Sequence, residues 1–326
     1  MATAYELALE KVKNGTKPEV VAAELVDSMT LEEKVHCLDG AVPFWIGIKD
    51  ITTGGYHSRP FGAAKVERLG IPGFHFSDGP RGVVVGEATA FPVSMARGAT
   101  FDPELETRVG DAIGKELRTI GADLYGGICV NLLRHPAWGR AQETYGEDQH
   151  HVGEMGAGLT RGAQRHVMAT LKHFALNSME NARFGVDVTV DERTLHEVYL
   201  PHFKRIVDEG VACVMTAYNS VNGQWCSQSE ELLAEILRGE WGFASFVISD
   251  WIFGVRDGVK SLQAGLDVEM PYRMIRNAPI VAALAEGLIT EELVASAVTR
   301  TIATMLKLMS ANCRCTIAQL CCVKNT

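Results

Sequence analysis

Ser245-Phe246-Val247-Ile248-Ser249-Asp250-Trp251 is the stretch whose reading decides the fold. Four mostly apolar residues with two β-branched members read as a buried strand, and the run then stops abruptly at a carboxylate followed by an indole. Such a strand carries Asp250 to its own C-terminal tip. In barrels of alternating strands and helices that tip is where chemistry sits, because the strand fixes the backbone and the next loop leaves the side chain accessible. An Asp after a strand also caps the following helix in many proteins, so the reading turns on whether other strands end the same way.

Working outward, they do. Pro72-Gly73 and Gly79-Pro80 bracket a short strand that leaves Asp78 in a tight turn. The apolar run Tyr125 to Leu133 ends on Arg134-His135-Pro136-Ala137-Trp138-Gly139-Arg140, with Glu143 close behind. Val167 to Leu171 runs into Lys172-His173-Phe174, and Val211 to Ala217 runs into Tyr218-Asn219. Between these strands the apolar spacing predicts helices. One covers residues 17–40, with Thr30 and Glu33 offering a capping box for its second half. Another opens at Asp102-Pro103-Glu104 and stops at Gly121, with a cap, a first-turn proline and an acidic first turn. Further helices are expected at about 151–164, from Asp191 to Gly210, from Ser229 to about Gly239, and near 278–286 and 291–309.

Alternation of strand and helix is the signature of a parallel sheet with helical crossovers. Because the polar residues gather at one end of the strands, a single (β/α)8 TIM-type barrel is expected in preference to an open doubly wound sheet. No G-x-G-x-x-G follows a strand, so a dinucleotide site has no support.

The totals agree. A chain of 326 residues has room for one barrel of about 250 with an extension. A 47% apolar, 22% charged composition is that of a soluble globular protein with a large core. The net charge of −9 disfavours nucleic acid and anionic membranes as partners but would not repel a neutral polyol. No secretory signal and no apolar run of membrane-spanning length is seen, so the expected location is cytoplasmic. Of eight cysteines, Cys313, Cys315, Cys321 and Cys322 crowd the end with neither zinc-site nor disulfide spacing, and no metal or other cofactor is expected. Composition changes at Ser310. Residues 1–309 are therefore read as the barrel domain and 310–326 as a cysteine-rich, disordered or non-native tail, ending where a larger protein would continue.

Asp78, Arg134, Lys172, His173, Tyr218, Asp250 and Trp251 would converge at one barrel mouth. Together they supply carboxylates and cations for vicinal hydroxyls and an aromatic face for a pyranose ring, an inventory that suits a small carbohydrate. Singly, each has a structural alternative: Asp78 as a turn residue, Arg134 paired with Glu143, His173 as a satisfied core histidine.

In order and spacing, Ser77-Asp78-Gly79-Pro80, Arg134 to Arg140 with Glu143 to Asp148, Lys172-His173-Phe174, Ala217 to Gly223 and Ile248-Ser249-Asp250-Trp251 resemble the N-terminal barrel of glycoside hydrolase family 3, across roughly residues 20–309. That family consists largely of retaining exo-acting β-glycosidases, β-glucosidases foremost. The resemblance implies that Asp250 is the nucleophile and that Asp78, Arg134, Lys172, His173, Met215, Tyr218 and Trp251 line the subsite for a terminal β-linked sugar. It also implies that Arg140 and Glu143 hold Arg134 and Lys172 in place.

Departures accompany it. Retaining hydrolysis needs a second carboxyl about 5 Å from the nucleophile, which most members take from a following α/β sandwich domain absent from these residues. Cleavage is therefore expected to be impaired unless an acid lies within these residues, for which Glu180 and Glu269 are the candidates. Residues 175–181 contain no Asp-x-His, which disfavours the hexosaminidase branch, and Val84 stands where many members place an arginine. The alternative to a β-glucosidase is a non-catalytic sugar-binding or assembly module derived from one. Homo-oligomerisation would cover helices that normally meet the sandwich domain.

Overall fold

The computed structural model describes residues 2–312. Strands β1 (Phe61–Ala63), β2 (Phe74–Asp78), β3 (Leu124–Cys129) and β4 (Met168–Phe174), then Cys213–Thr216 and Phe246–Ile248, form one sheet in that order. β1 is antiparallel to β2, and every later pairing is parallel. Each residue from β3 onward in this sheet is buried. Helices cover the outer face while side chains fill the inner one, which is why these strands read as continuous apolar runs rather than alternating ones.

The continuous sheet therefore has six strands rather than eight. Beyond its edges, pairing continues through single-residue bridges: Ile248 with Val268, Asp39 with Glu269, and Gly40 with Ala63. The segments 39–40 and 268–269 thus lie between the Phe246–Ile248 strand and β1. They stay short because the chains are pressed together there. A Cβ on Gly40 would sit 2.0 Å from the Pro271 carbonyl oxygen, so only glycine permits the approach.

Two expected helices are each divided. Residues 17–40 hold one helix at Pro18–Asp27 and a second at Leu31–His36. The Thr30 hydroxyl accepts from the Glu33 amide at 3.2 Å and the Glu33 carboxylate accepts from the Thr30 amide at 2.9 Å. This capping box begins a new helix because a cap residue has extended backbone, which a continuous helix excludes. Similarly, the stretch from Asp191 to Gly210 restarts at Pro201–Asp208, where proline supplies no amide to the preceding turn. Asp102 caps the Pro103–Thr119 helix as expected, accepting from Glu104 and Leu105 at 3.0 and 2.9 Å. A helix at Ala4–Lys13, opened by a Thr3–Glu6 capping box, is an element the sequence reading passed over.

The last described helix, Glu291–Asn312, runs past the expected boundary at residue 309. The remainder of the 310–326 segment, with its four cysteines, lies outside the described residues. Cys37, Cys129, Cys213 and Cys226 are buried free thiols. Among the described residues, no helix is long and apolar enough to cross a membrane.

Candidate active site

A cavity of about 330 Å³ opens at the C-terminal ends of the parallel strands. Nine of the residues singled out from the sequence line it: Asp78, Arg140, Glu143, Lys172, His173, Met215, Tyr218, Asp250 and Trp251. They arrive from successive strands and the loops that follow them, so the site exists only when the whole sheet is in register.

Asp78 ends β2. Its Oδ1 accepts from the Gly79 amide at 2.8 Å and from the Lys172 ammonium at 2.6 Å. Burial pushes its carboxyl up, but the Lys172 and Arg140 charges outweigh that and hold it below the usual carboxylate range. Lys172 is almost fully buried; burial alone would lower its pKa, and the Asp78 charge raises it instead. The two therefore form a charged pair at neutral pH.

Asp250 repeats the anchoring. Its Oδ1 accepts from the Trp251 amide at 2.7 Å, and its Oδ2 is buried with no hydrogen-bond partner. Burial raises its pKa to about 6, against the pull of Arg140, the Trp251 amide, Lys172 and the nearby Tyr218 hydroxyl, whose own hydrogen bond goes to the Trp251 carbonyl. Both aspartates are thus oriented by the backbone of the next residue, and Asp250 keeps one oxygen uncommitted. His173 Nε2 stands 3.7 Å from that oxygen. Burial, Arg140 and Lys172 push the His173 pKa well below its ordinary value, so the imidazole is neutral and the contact is not an ion pair. Asn131 fixes the histidine backbone with bonds of 2.9 and 3.0 Å.

Lys172 and His173 are neighbours in sequence, yet both line the cavity. A regular strand points adjacent side chains to opposite faces. The pairing of β4 with the next strand shifts register between Leu171 and Phe174, and this irregularity lets the two side chains face one space. Trp251 forms the opposite wall, its indole packed against Phe76 with ring centroids 4.3 Å apart. The Tyr218 hydroxyl donates to the Trp251 carbonyl at 2.8 Å and holds the turn after Asp250.

Arg134 is the exception among the sequence-derived residues. It is exposed and lies over the Tyr199 ring at 5.7 Å. The loop after β3 leaves the mouth at residues 134–137 and returns through the Ala141–Glu143 turn, which brings in Arg140 instead. Arg140 and Glu143 bond each other twice, at 3.0 and 2.8 Å, and both face the cavity rather than supporting Arg134.

Tyr56, Arg183 and Glu180 also line the cavity; of the three only Glu180 was named from the sequence, as a candidate acid alongside Glu269. The Tyr56 hydroxyl donates to Asp78 Oδ2 at 3.4 Å. Arg183 pairs with Glu180 at 3.1 Å, and Glu180 Oε2 has no partner. Both sit in the loop after β4, which holds no Asp-x-His pair. Val84 does not line the cavity.

The arrangement is an α/β domain with a carboxylate-rich cavity at its strand ends. The chain belongs to glycosyl hydrolase family 3: the description of that family's N-terminal domain matches residues 13–304. It is 39% identical over 288 residues to a β-glucosidase of Rhizobium radiobacter, covering 85% of this chain and 33% of the relative. It is 38% identical over 293 residues to thermostable β-glucosidase B of Acetivibrio thermocellus, covering 85% and 36%. Among solved structures, β-glucosidase 3B from Thermotoga neapolitana in complex with glucose superposes with a TM-score of 0.81 at 36% identity, over 89% of this chain and 43% of that one. The chain spans between a third and just over two fifths of the length of these relatives.

Proposed function

We propose that this chain carries the sugar pocket and the nucleophile of a retaining β-glycosidase, most closely a β-glucosidase, acting on terminal β-linked sugars. In this reading the six strands and the two bridged segments are the eight staves of a closed TIM-type barrel in which β1 runs antiparallel to its neighbours. The observation that carries the proposal is the uncommitted Asp250 Oδ2 in the cavity that holds the Lys172–Asp78 pair. A nucleophile must be ionised and free to approach an anomeric carbon, and Asp250 becomes so above about pH 6. Asp78, Lys172 and His173 would bond the sugar hydroxyls while Trp251 packs on a ring face. The Arg140 and Lys172 charges oppose, without cancelling, the burial that disfavours the Asp250 anion.

General acid help contributes roughly 10²- to 10⁴-fold in such reactions. Within the cavity Asp78 and Glu143 are committed to cations, and Glu269 lies elsewhere, accepting from the amides of residues 274–276. Glu180 pairs with Arg183 through Oε1 but keeps Oε2 unpartnered, and is the described cavity carboxylate left to test. The reading therefore expects dinitrophenyl glucoside, whose leaving group needs no proton, to be cleaved far faster than cellobiose.

Treatment with a 2-fluoro glucoside followed by intact-mass measurement tests the nucleophile. A covalent adduct mapped to Asp250 supports the enzyme. Glucose binding without an adduct would make the chain a sugar-binding module. Comparable rates on the two glycosides would show that an acid operates within these residues, and Glu180→Gln would identify it.

A further inference from the structure

We infer that Asn131, acting through His173, decides which nitrogen of that imidazole carries the proton: Nδ1 holds it, and the bare Nε2 faces the cavity as a hydrogen-bond acceptor for a sugar hydroxyl. Asn131 is on this account a positioning residue. The proton's place follows from geometry alone, while its use toward a sugar rests on the glycosidase reading above and deepens it.

Asn131 lies just past β3, and it and His173 are both buried. Three contacts join them. Asn131 Nδ2 donates to the His173 carbonyl at 2.9 Å, Asn131 Oδ1 accepts from the His173 amide at 3.0 Å, and the same Oδ1 stands 3.2 Å from the ring Nδ1. A carboxamide can be turned end for end with little change of outline, so its oxygen and nitrogen must be told apart by their partners. Here the backbone removes the choice. A carbonyl oxygen only accepts and an amide N–H only donates, so Nδ2 must face the first and Oδ1 the second. Oδ1 is therefore an acceptor set against Nδ1. A bare Nδ1 would bring two lone pairs together at that distance, away from water, so Nδ1 carries the proton.

One other group reaches Nδ1. The Cys129 thiol is 3.9 Å away and stays protonated, because burial pushes its pKa up to about 12. A thiol donating to a bare Nδ1 would reverse the assignment. It is a weak donor at long range, and it would not relieve the opposition between Nδ1 and Oδ1. A second proton on the ring is opposed by burial and by the Arg140, Lys172 and Arg183 charges, which hold the imidazole neutral.

The far side of the ring fits this assignment. Nε2 stands 3.7 Å from Asp250 Oδ2, which is buried without a partner. A ring N–H aimed at a carboxylate would close to about 2.7–2.9 Å, whereas two acceptors stay apart. From behind the imidazole, Asn131 thus does two things. It keeps Asp250 Oδ2 from being tied up by a ring N–H, and it leaves in the cavity a lone pair that a sugar hydroxyl must meet by donating.

Long-range proton–nitrogen correlation spectra of the full chain, labelled with nitrogen-15 histidine, read the tautomer, since protonated and bare ring nitrogens differ widely in shift. The signals missing from His173→Gln assign the residue. At neutral pH the wild type should show Nδ1 protonated and Nε2 bare. In Asn131→Leu a population with the proton on Nε2 should appear, while Asn131→Asp, which keeps an oxygen against Nδ1, should retain the wild-type pattern. A wild-type proton on Nε2, or an unmoved tautomer in the leucine variant, would overturn the inference; if the leucine chain does not fold, the wild-type spectrum decides. Calorimetry with glucose and its monofluorinated analogues reads the use. Fluorine cannot donate, so at the hydroxyl facing Nε2 it should weaken wild-type binding by roughly tenfold, and by less in Asn131→Leu. Equal losses at every ring position in the two proteins would overturn the role toward the sugar. A chain with the expected tautomer that binds no glucose would overturn the glycosidase reading and leave the assignment of the proton standing.

Discussion

Replacing Lys172 by Met probes the charge balance of the cavity with little change in shape, since the side chains are of similar length and apolar over most of it. Lys172 is 2% exposed and Asp78 27% exposed, and they are joined at 2.6 Å. Breaking a fully buried pair by removing one partner costs about 3–5 kcal/mol. Asp78 keeps the Gly79 amide, the Tyr56 hydroxyl and some water, so about 2–3 kcal/mol is expected at pH 7. The pH dependence follows from the signs. Asp78 is held below its ordinary pKa in the wild type, so the stability it contributes is present above that value and lost as pH falls through its folded pKa. Without the ammonium its pKa rises. Asp250, already near 6, rises further because Lys172 is one of the charges pulling it down. The variant's deficit should therefore shrink between pH 7 and pH 5 as both carboxyls take up protons. Urea unfolding at the two pH values measures this. In parallel, the acid limb of 2-fluoro glucoside inactivation against pH should move up by about one unit. A cost below about 0.5 kcal/mol at pH 7, or an unmoved acid limb, would refute the charged-pair account.

Two further predictions concern groups outside the cavity. Arg97 and Glu106 are buried together at 2.9 Å, and Arg97 also donates to the Pro80 carbonyl at 2.9 Å, tying the Asp78 turn to the Pro103–Thr119 helix. Arg97→Met should cost about 3–5 kcal/mol in chemical denaturation, with Glu106→Gln added in the same chain recovering part of it; no recovery would show that no charge was stranded. His202 is buried, both ring nitrogens lack partners, and burial pushes its pKa down to about 3. The unfolded chain therefore binds the proton first, and stability is lost as pH falls below about 6.5. His202→Leu should gain about 2 kcal/mol on the wild type between pH 7 and pH 5; parallel stabilities at the two pH values would count against it.

How much of this was legible in the sequence depended on what each residue's identity encodes. Asp78, Lys172, Tyr218 and Asp250 were readable because a polar group at the end of an apolar run marks a strand tip. Arg134 and Arg140 show the limit. Both flank the same loop, and which one returns to the cavity is decided by the path of residues 134–143, which composition does not fix. Arg183 was missed for the same reason, being carried by a loop without periodicity, while Glu180 in that loop was singled out only as a candidate acid. The sheet was read as eight strands and is six with two bridged segments, because pairs such as Asp39 with Glu269 are too short to leave an apolar run. Thr30 signalled a cap correctly, but its consequence, a break in the helix, was underread.

The displaced ladder in β4 has a bearing on how this pocket can change. Lys172 and His173 share the cavity at a place where the strand's regular pairing is interrupted. A substitution that restored a regular ladder between Leu171 and Phe174 would swing one of them into the packed exterior of the sheet while leaving both letters in place. Part of the site is thus written in a pairing irregularity. Engineering that preserves every functional side chain but tidies the backbone beneath them would erase it.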